Sequence, residues 1–265
     1  MNLFFLKKSF FDGWDNLFKL VLVNLLWIIL MGGELMVGYN LLVHGANISV
    51  LEKFIVLTAG LVLIFIYDGA TAHFVNSIAD FGSPRFSDFI EGLKKYAGKS
   101  ALFALLVSVT VGLVLIAFQY YGRMGGILGA LAMGVVFWIS LFVALSYQHF
   151  FAIMVRLEGN FRKTLKKSFL ICFDNLGYSI FLGLWSVVMT AISVFTIGLI
   201  PGGAGLLLGR CDAFRLRLYK YDYLEKNPEA SRKDIPWEDL LEEDQELVGT
   251  RTLKGMLFPW KDTMR

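Results

Sequence analysis

Residues 17–42 read LFKLVLVNLLWIILMGGELMVGYNLL. A helix rises about 1.5 Å per residue, and a bilayer core of about 30 Å is crossed by ~20 apolar residues. This stretch is longer than that. Its only charges are Lys19 near the start and Glu34 beside Gly32 and Gly33. It therefore reads as a membrane crossing. Four more apolar stretches repeat its texture, at 54–78, 101–121, 125–155 and 178–199. A sixth, at 202–218, is shorter and carries Arg210 and Asp212. Hydrophobic residues make up 56% of the 265-residue chain and charged residues 18%, against about 45–50% and about 25% in soluble domains. Mean hydropathy is +0.61. The expected fold is all-α: a polytopic membrane domain over 1–220 with six transmembrane helices in three hairpins, then a tail over 221–265.

Where the charges fall sets the orientation. Lys7, Lys8 and Lys19 precede the first span. Arg85, Lys94, Lys95 and Lys99 precede the third, and Arg156, Arg162, Lys163, Lys166 and Lys167 precede the fifth. The opposite turns hold only Lys53 and Arg123. Basic loops stay cytoplasmic, as should the tail with Lys220, Lys226, Arg232 and Lys233. An even number of crossings satisfies both ends. The expected location is a bacterial inner membrane with both termini cytoplasmic. The apolar run from Leu20 is too long for the core of a signal peptide, so no cleaved leader is expected.

The chain repeats itself. Leu6-Lys7-Lys8-Ser9-Phe10 recurs as Leu165-Lys166-Lys167-Ser168-Phe169, and Asp15-Asn16-Leu17 recurs in register as Asp174-Asn175-Leu176. A middle copy has Phe89, Leu93, Lys94 and Lys95 where the last copy has Phe161, Leu165, Lys166 and Lys167. Each hairpin is thus introduced by an amphipathic helix lying in the membrane plane. In the first of these, Phe4, Phe10, Phe11, Trp14, Leu17 and Phe18 form one face, and Lys7, Lys8, Asp12 and Asp15 the other. In the second, Ser83 is the expected N-cap with Pro84 at the first helical position. Lys7, Lys8, Lys94, Lys95, Lys166 and Lys167 are candidate contacts for anionic lipid.

The tail has a linker at 227–231, an acidic stretch with Glu238, Asp239, Glu242, Glu243, Asp244 and Glu246 around Leu240 and Leu241, and a last segment with Phe258 and Trp260. A short acidic helix is expected, with a segment packed on the membrane domain or on a partner. Cys172 and Cys211 form no CxxC pair and read as small buried hydrophobes.

Trp14-Asp15, Asn24-Leu25-Leu26-Trp27, Gly69-Ala70-Thr71-Ala72, Phe89 with Lys94-Lys95, Phe161 with Leu165-Lys166, and Asn175-Leu176 together resemble the YesL-like family of bacterial membrane proteins, over most of residues 10–220. The usual proline beside Ala70 is missing here. The family has no established catalytic residues to carry over. The resemblance implies a transport-accessory or sensing role, with members tending to be encoded near carbohydrate transport systems.

Polar residues inside spans are expensive and mark candidate sites. Asp68, His73, Asn76, His149, Arg156 and Asp212 fall in the inner half or at the inner edge, with Gln148 and Arg210 nearby. They are candidates for a polar cavity facing the cytoplasm. Glu34 is expected to reach water at the outer interface. Tyr67-Asp68 lacks the second aspartate motif that an intramembrane aspartyl protease needs. No serine stands in a protease setting, and His44, His73 and His149 lack metal-ligand spacing. No enzyme, cofactor, metal or nucleic-acid partner is expected. The expected role is a non-enzymatic membrane accessory or scaffold, partnered with the bilayer and with a transport complex or cytoplasmic protein through the tail. The alternative is a transporter or channel for an ion or small polar solute.

Overall fold

In the computed structural model, residues 1–232 and 235–251 are described, and the tail residues Lys233, Phe258, Trp260 and Lys261 fall outside them. Among the described residues every regular element is a helix, and no strand is present. Helix α1 (Asn2–Asp15) leads into α2 (Leu17–Val43), which turns back as α3 (Val50–Ala79). Helices α4 (Phe86–Met124) and α5 (Gly126–Tyr147) form the second hairpin, followed by the short α6 (Phe150–Leu157). Helix α7 (Phe161–Asp174) leads into α8 (Leu176–Phe195), which turns back as α9 (Gly202–Lys226). The tail adds α10 (Trp237–Leu240) and α11 (Glu242–Val248). The protein is an all-α polytopic membrane protein. Five helices are long and apolar enough to cross a bilayer: α2, α3, α4, α5 continued through α6, and α8.

The repeat has a local cause. Asn16 and Asn175 each interrupt the chain between an amphipathic helix and an apolar one. Each residue also donates its Nδ2 back to a carbonyl four residues earlier, Asp12 O at 3.1 Å and Ile171 O at 3.2 Å. Such bonds compete with the helix ladder and favour a break. In the middle copy the matching positions are Leu102 and Phe103. Nothing there competes with the ladder, and α4 runs unbroken for 39 residues. The separate second amphipathic helix expected from the sequence is thus the first part of α4. Its cap differs too: Arg85 is the N-cap residue and Asp88 accepts its N–H at 2.9 Å. Ser83 instead accepts a bond from Lys19 Nζ at 2.7 Å. The fourth span is likewise divided, between α5 and α6.

The sixth expected crossing forms a helix that is not among those five. With Arg210, Asp212, Arg215 and Arg217, α9 is too charged to count among the five. It is the central helix, buried along most of Gly202–Lys220. Cross-contacts fix its height. Tyr67 Oη on α3 donates to Val23 O on α2 at 2.5 Å. One residue further along α2, Asn24 holds the α8–α9 turn: its Nδ2 donates to Leu199 O (2.9 Å) and Pro201 O (2.8 Å), and its Oδ1 accepts from Ala204 N (2.9 Å). Gly198 rests against Trp27 and Ile28. From Ile28, α2 still has roughly 20 Å to run at about 1.5 Å per residue. The α8–α9 hairpin therefore turns back part-way along the α2–α3 hairpin. Irregular backbone at membrane depth must find partners within the protein. Here Asn24, Ser193 and Thr196 supply them, with Gly202 N donating to Ser193 Oγ at 3.0 Å and Ile200 N to Thr196 Oγ1 at 3.2 Å. Gly202 has φ +62°, and a Cβ there would strike the Asn24 amide, so the turn and its clamp require glycine. Phe195 and Ile197 at the tip are 89% and 77% exposed, which suits a tip immersed in hydrocarbon.

The core is concentrated toward the basic end. Ala70, Ala72, Val75, Phe150, Ile153, Met154, Leu208 and Phe214 are buried in one cluster. Phe5, Tyr178, Leu182, Trp185, Leu216 and Leu241 form a second, joining α1, α8, α9 and the tail. By contrast, Leu113, Leu115, Leu128, Leu131 and Trp138 toward the α4–α5 turn are all exposed, as bilayer-facing residues are. Helix α1 buries Phe5, Lys8, Phe11 and Asp12 and leaves Trp14 exposed. Part of the face expected to meet water is thus turned into the protein.

Candidate functional site

Asp68 on α3 and Arg210 on α9 are neighbours because the two helices descend side by side, with Cys211 Sγ 3.9 Å from Ala72 O. Both side chains are half-buried and line one cavity of about 480 Å³. Its wall comes from α3, α4 and α5, and includes Val107, Thr110, Val111, Val143 and Tyr147. The two charges interact electrostatically, yet no direct ion pair joins them among the described residues. Asp68 Oδ1 and Arg210 Nε are sealed from solvent and have no hydrogen-bond partner.

Toward the basic end the cavity is bordered by aromatic rings. Phe103 stacks on Phe150 at 3.8 Å between ring centroids, and Phe65 and Phe151 flank them. Below lies the main core. At Gly209 even a methyl group would meet the Trp185 ring.

The six residues expected to share a cavity are spread over several contacts. Asp68 lines the cavity. His73 lies against the Tyr96 ring at 5.4 Å. Asn76 reaches Asp80 at 3.4 Å. His149 is buried and its Nε2 is 2.9 Å from Ser179 Oγ, so it ties α8 to the α5–α6 junction. Arg156 pairs with Asp80. Asp212 is fully buried against Lys8, with Lys8 Nζ 3.3 Å from its Oδ1. Apart from Asp68, and from Asn76, whose bond stays at the end of its own helix, these groups join helices to one another. Glu34 is not simply out in water: its carboxylate lies over Gly60 of α3.

The lysines divide as well. Lys94, Lys95, Lys166 and Lys167 are exposed, as a headgroup contact requires. Lys95 also binds Glu158 at 2.6 Å, which holds the Glu158 carboxyl below its usual range. Lys7 donates to Gly249 O at 2.7 Å. Lys8 is fully buried, paired with Asp12 and Asp212 and set 3.9 Å over the Phe81 ring. It cannot meet lipid, because the protein already surrounds its ammonium. Burial raises the Asp12 carboxyl above its ordinary value, and Lys8 works against that rise.

The tail is held by charge and by apolar contact. Asp244, only 1% exposed, takes two bonds from Arg215, at 2.8 and 3.3 Å, and one from Tyr219 Oη at 3.0 Å. Arg215 also pairs with Asp80. Leu241 and Val248 are buried on the same face as Asp244, the three- and four-residue spacing of a docked helix. Glu238, Asp239, Glu242, Glu243 and Glu246 stay exposed. Sequence reasoning did not find the Lys8–Asp12–Asp212 cluster, the Asn24 clamp or the Arg215–Asp244 bond. The i, i+4 pair Lys8–Asp12 and the polar Asn24 inside an apolar run were the available signals. In comparisons with known proteins, no family model, curated relative or solved structure matches the chain.

Proposed function

We propose that this protein is a non-enzymatic accessory or scaffold of the bacterial cytoplasmic membrane, with its basic end and both termini in the cytoplasm, acting beside a transport or envelope system. The observation that supports this over a transporter is the aromatic packing of Phe65, Phe103, Phe150 and Phe151 between Asp68 and the basic end. A solute carrier needs a polar route there in at least one state, and in this structure the stacked rings of Phe103 and Phe150 stand at that end of the cavity. A second support is the tail. A helix that buries Leu241, Asp244 and Val248 while turning its acids outward presents a fixed acidic face. Such a face suits a basic partner surface, because complementary charge steers encounter.

The experiment is affinity purification from the host in mild detergent, comparing wild type with Glu238→Gln/Glu242→Gln/Glu243→Gln/Glu246→Gln. These positions are exposed, so each substitution should change stability by no more than ~0.5 kcal/mol. Partner recovery should fall by about tenfold or more, the factor expected from losing ~1.4 kcal/mol of interfacial charge complementarity. An unchanged partner set would remove the tail from the account. Solute flux in reconstituted vesicles that depends on Asp68 would favour the transporter.

A further inference from the structure

We infer that the cavity at Asp68 and Arg210 is a binding site for a phospholipid whose headgroup carries both an ammonium and a phosphate, such as phosphatidylethanolamine. Three observations support this. The first is charge. A carboxylate and a guanidinium border the same cavity with no direct ion pair between them among the described residues. A ligand with the complementary pair of charges answers both. An ammonium meets Asp68, and the planar fork of Arg210 takes phosphate oxygens.

The second is polarity. Asp68, Arg210 and Gln148 lie at the end of the cavity nearer the basic loops, while Val111, Val114 and Leu115 lie further along α4 toward the opposite turn. A lipid of the adjacent leaflet has the same order, with its head toward the basic end and its chains toward the midplane. The third is access. The stacked rings of Phe103 and Phe150 stand at the end nearer the basic loops, whereas Val111 and Leu115 are 51% and 64% exposed on the flank of the α4–α5 hairpin. The ligand therefore enters from the bilayer. A volume of about 480 Å³ is enough for a headgroup and the first part of its chains, within the usual ~300–1,000 Å³ of ligand sites.

The test is native mass spectrometry of the delipidated full chain with equal phosphatidylethanolamine and phosphatidylglycerol. Wild type should retain phosphatidylethanolamine about tenfold over phosphatidylglycerol, the factor that one charge-assisted hydrogen bond supplies. Asp68→Asn should erase that preference, and Arg210→Gln should lower retention of both lipids. Equal retention by wild type, no retention of either lipid, or an unchanged preference in Asp68→Asn would each overturn the inference. If the variants do not fold, a phosphatidylethanolamine with a photoreactive chain decides it on wild type alone. Labelling should concentrate in residues 103–115 and 140–151, and even labelling of all exposed spans would overturn the site.

Discussion

Replacing Asn24 with leucine should lower stability by about 3 kcal/mol or more, because it strips three partners from backbone at membrane depth and each unsatisfied group costs about 1–3 kcal/mol. For a chain of this size that is a fall in Tm of roughly 10 °C, read by thermal unfolding in detergent. The side chain is fully buried and bridges Leu199, Pro201 and Ala204. Leucine fills a similar volume but offers no donor or acceptor, and hydrocarbon supplies no water to replace it. A variant as stable as wild type would mean that the α8–α9 turn meets its backbone needs in some other way.

The second large effect is expected at Lys8. Its ammonium sits with two buried carboxylates, Asp12 and Asp212. Lys8→Met leaves like charges together with no cation between them, and breaking a buried pair from one side costs about 3–5 kcal/mol. The pH dependence identifies the cause. Burial already raises the Asp12 carboxyl above its ordinary value in the folded protein, with Lys8 opposing that rise. A carboxyl so raised binds its proton more tightly folded than unfolded. Its effect is most favourable at low pH and is lost as pH rises from the ordinary carboxylate value through the folded one. Without Lys8 the rise is larger. The deficit of Lys8→Met, read by thermal unfolding, should therefore shrink as pH falls from about 8 to about 5. A deficit that does not change with pH would show lost packing rather than unpaired carboxylates.

Much of the architecture was legible because it depends on local pattern. The apolar runs gave the long helices. The Asp-Asn pairs at 15–16 and 174–175 showed the repeat but not the two breaks they make, and Leu17 and Phe18, expected on the first amphipathic helix, belong to α2. The acidic stretch gave a short helix, and the structure adds that Leu241 is buried. What the sequence hid depends on partners far away in the chain. Lys8 looked like a headgroup contact because a single helix does not reveal that Asp212 stands opposite. His149 and Arg156 looked like cavity residues for the same reason, although Ser179 and Asp80 take them up. The segment at 202–218 looked like a weak crossing. Its charges instead suit a central helix that protein surrounds on all sides, so Asp212, Arg215 and Lys220 find partners among α1, the tail and Asp174. The continuity of α4 was readable in principle, since Leu102 and Phe103 lack the competing side chains of Asp174 and Asn175.

The charge network at the basic end connects the proposed role to the fold. Asp80 at the end of α3 gathers Arg156 and Arg215, and Arg215 passes the link to Asp244 of the tail. On the other side Arg251 grips Asp15 with bonds of 3.0 and 2.8 Å. The tail is thus fastened at both ends of α11, and its acids are held in a fixed orientation for a partner to meet.

The most direct test of the architecture is cysteine accessibility in sealed vesicles, on a background with Cys172 and Cys211 replaced by alanine. Cysteines at Lys95 and Glu238 should react with a membrane-impermeant maleimide from one and the same side, a cysteine at Arg123 only from the other, and a cysteine at Ile197 from neither. Reaction at position 197 together with 123 would make α8 a full crossing, and reaction at 95 and 238 from opposite sides would contradict the arrangement altogether.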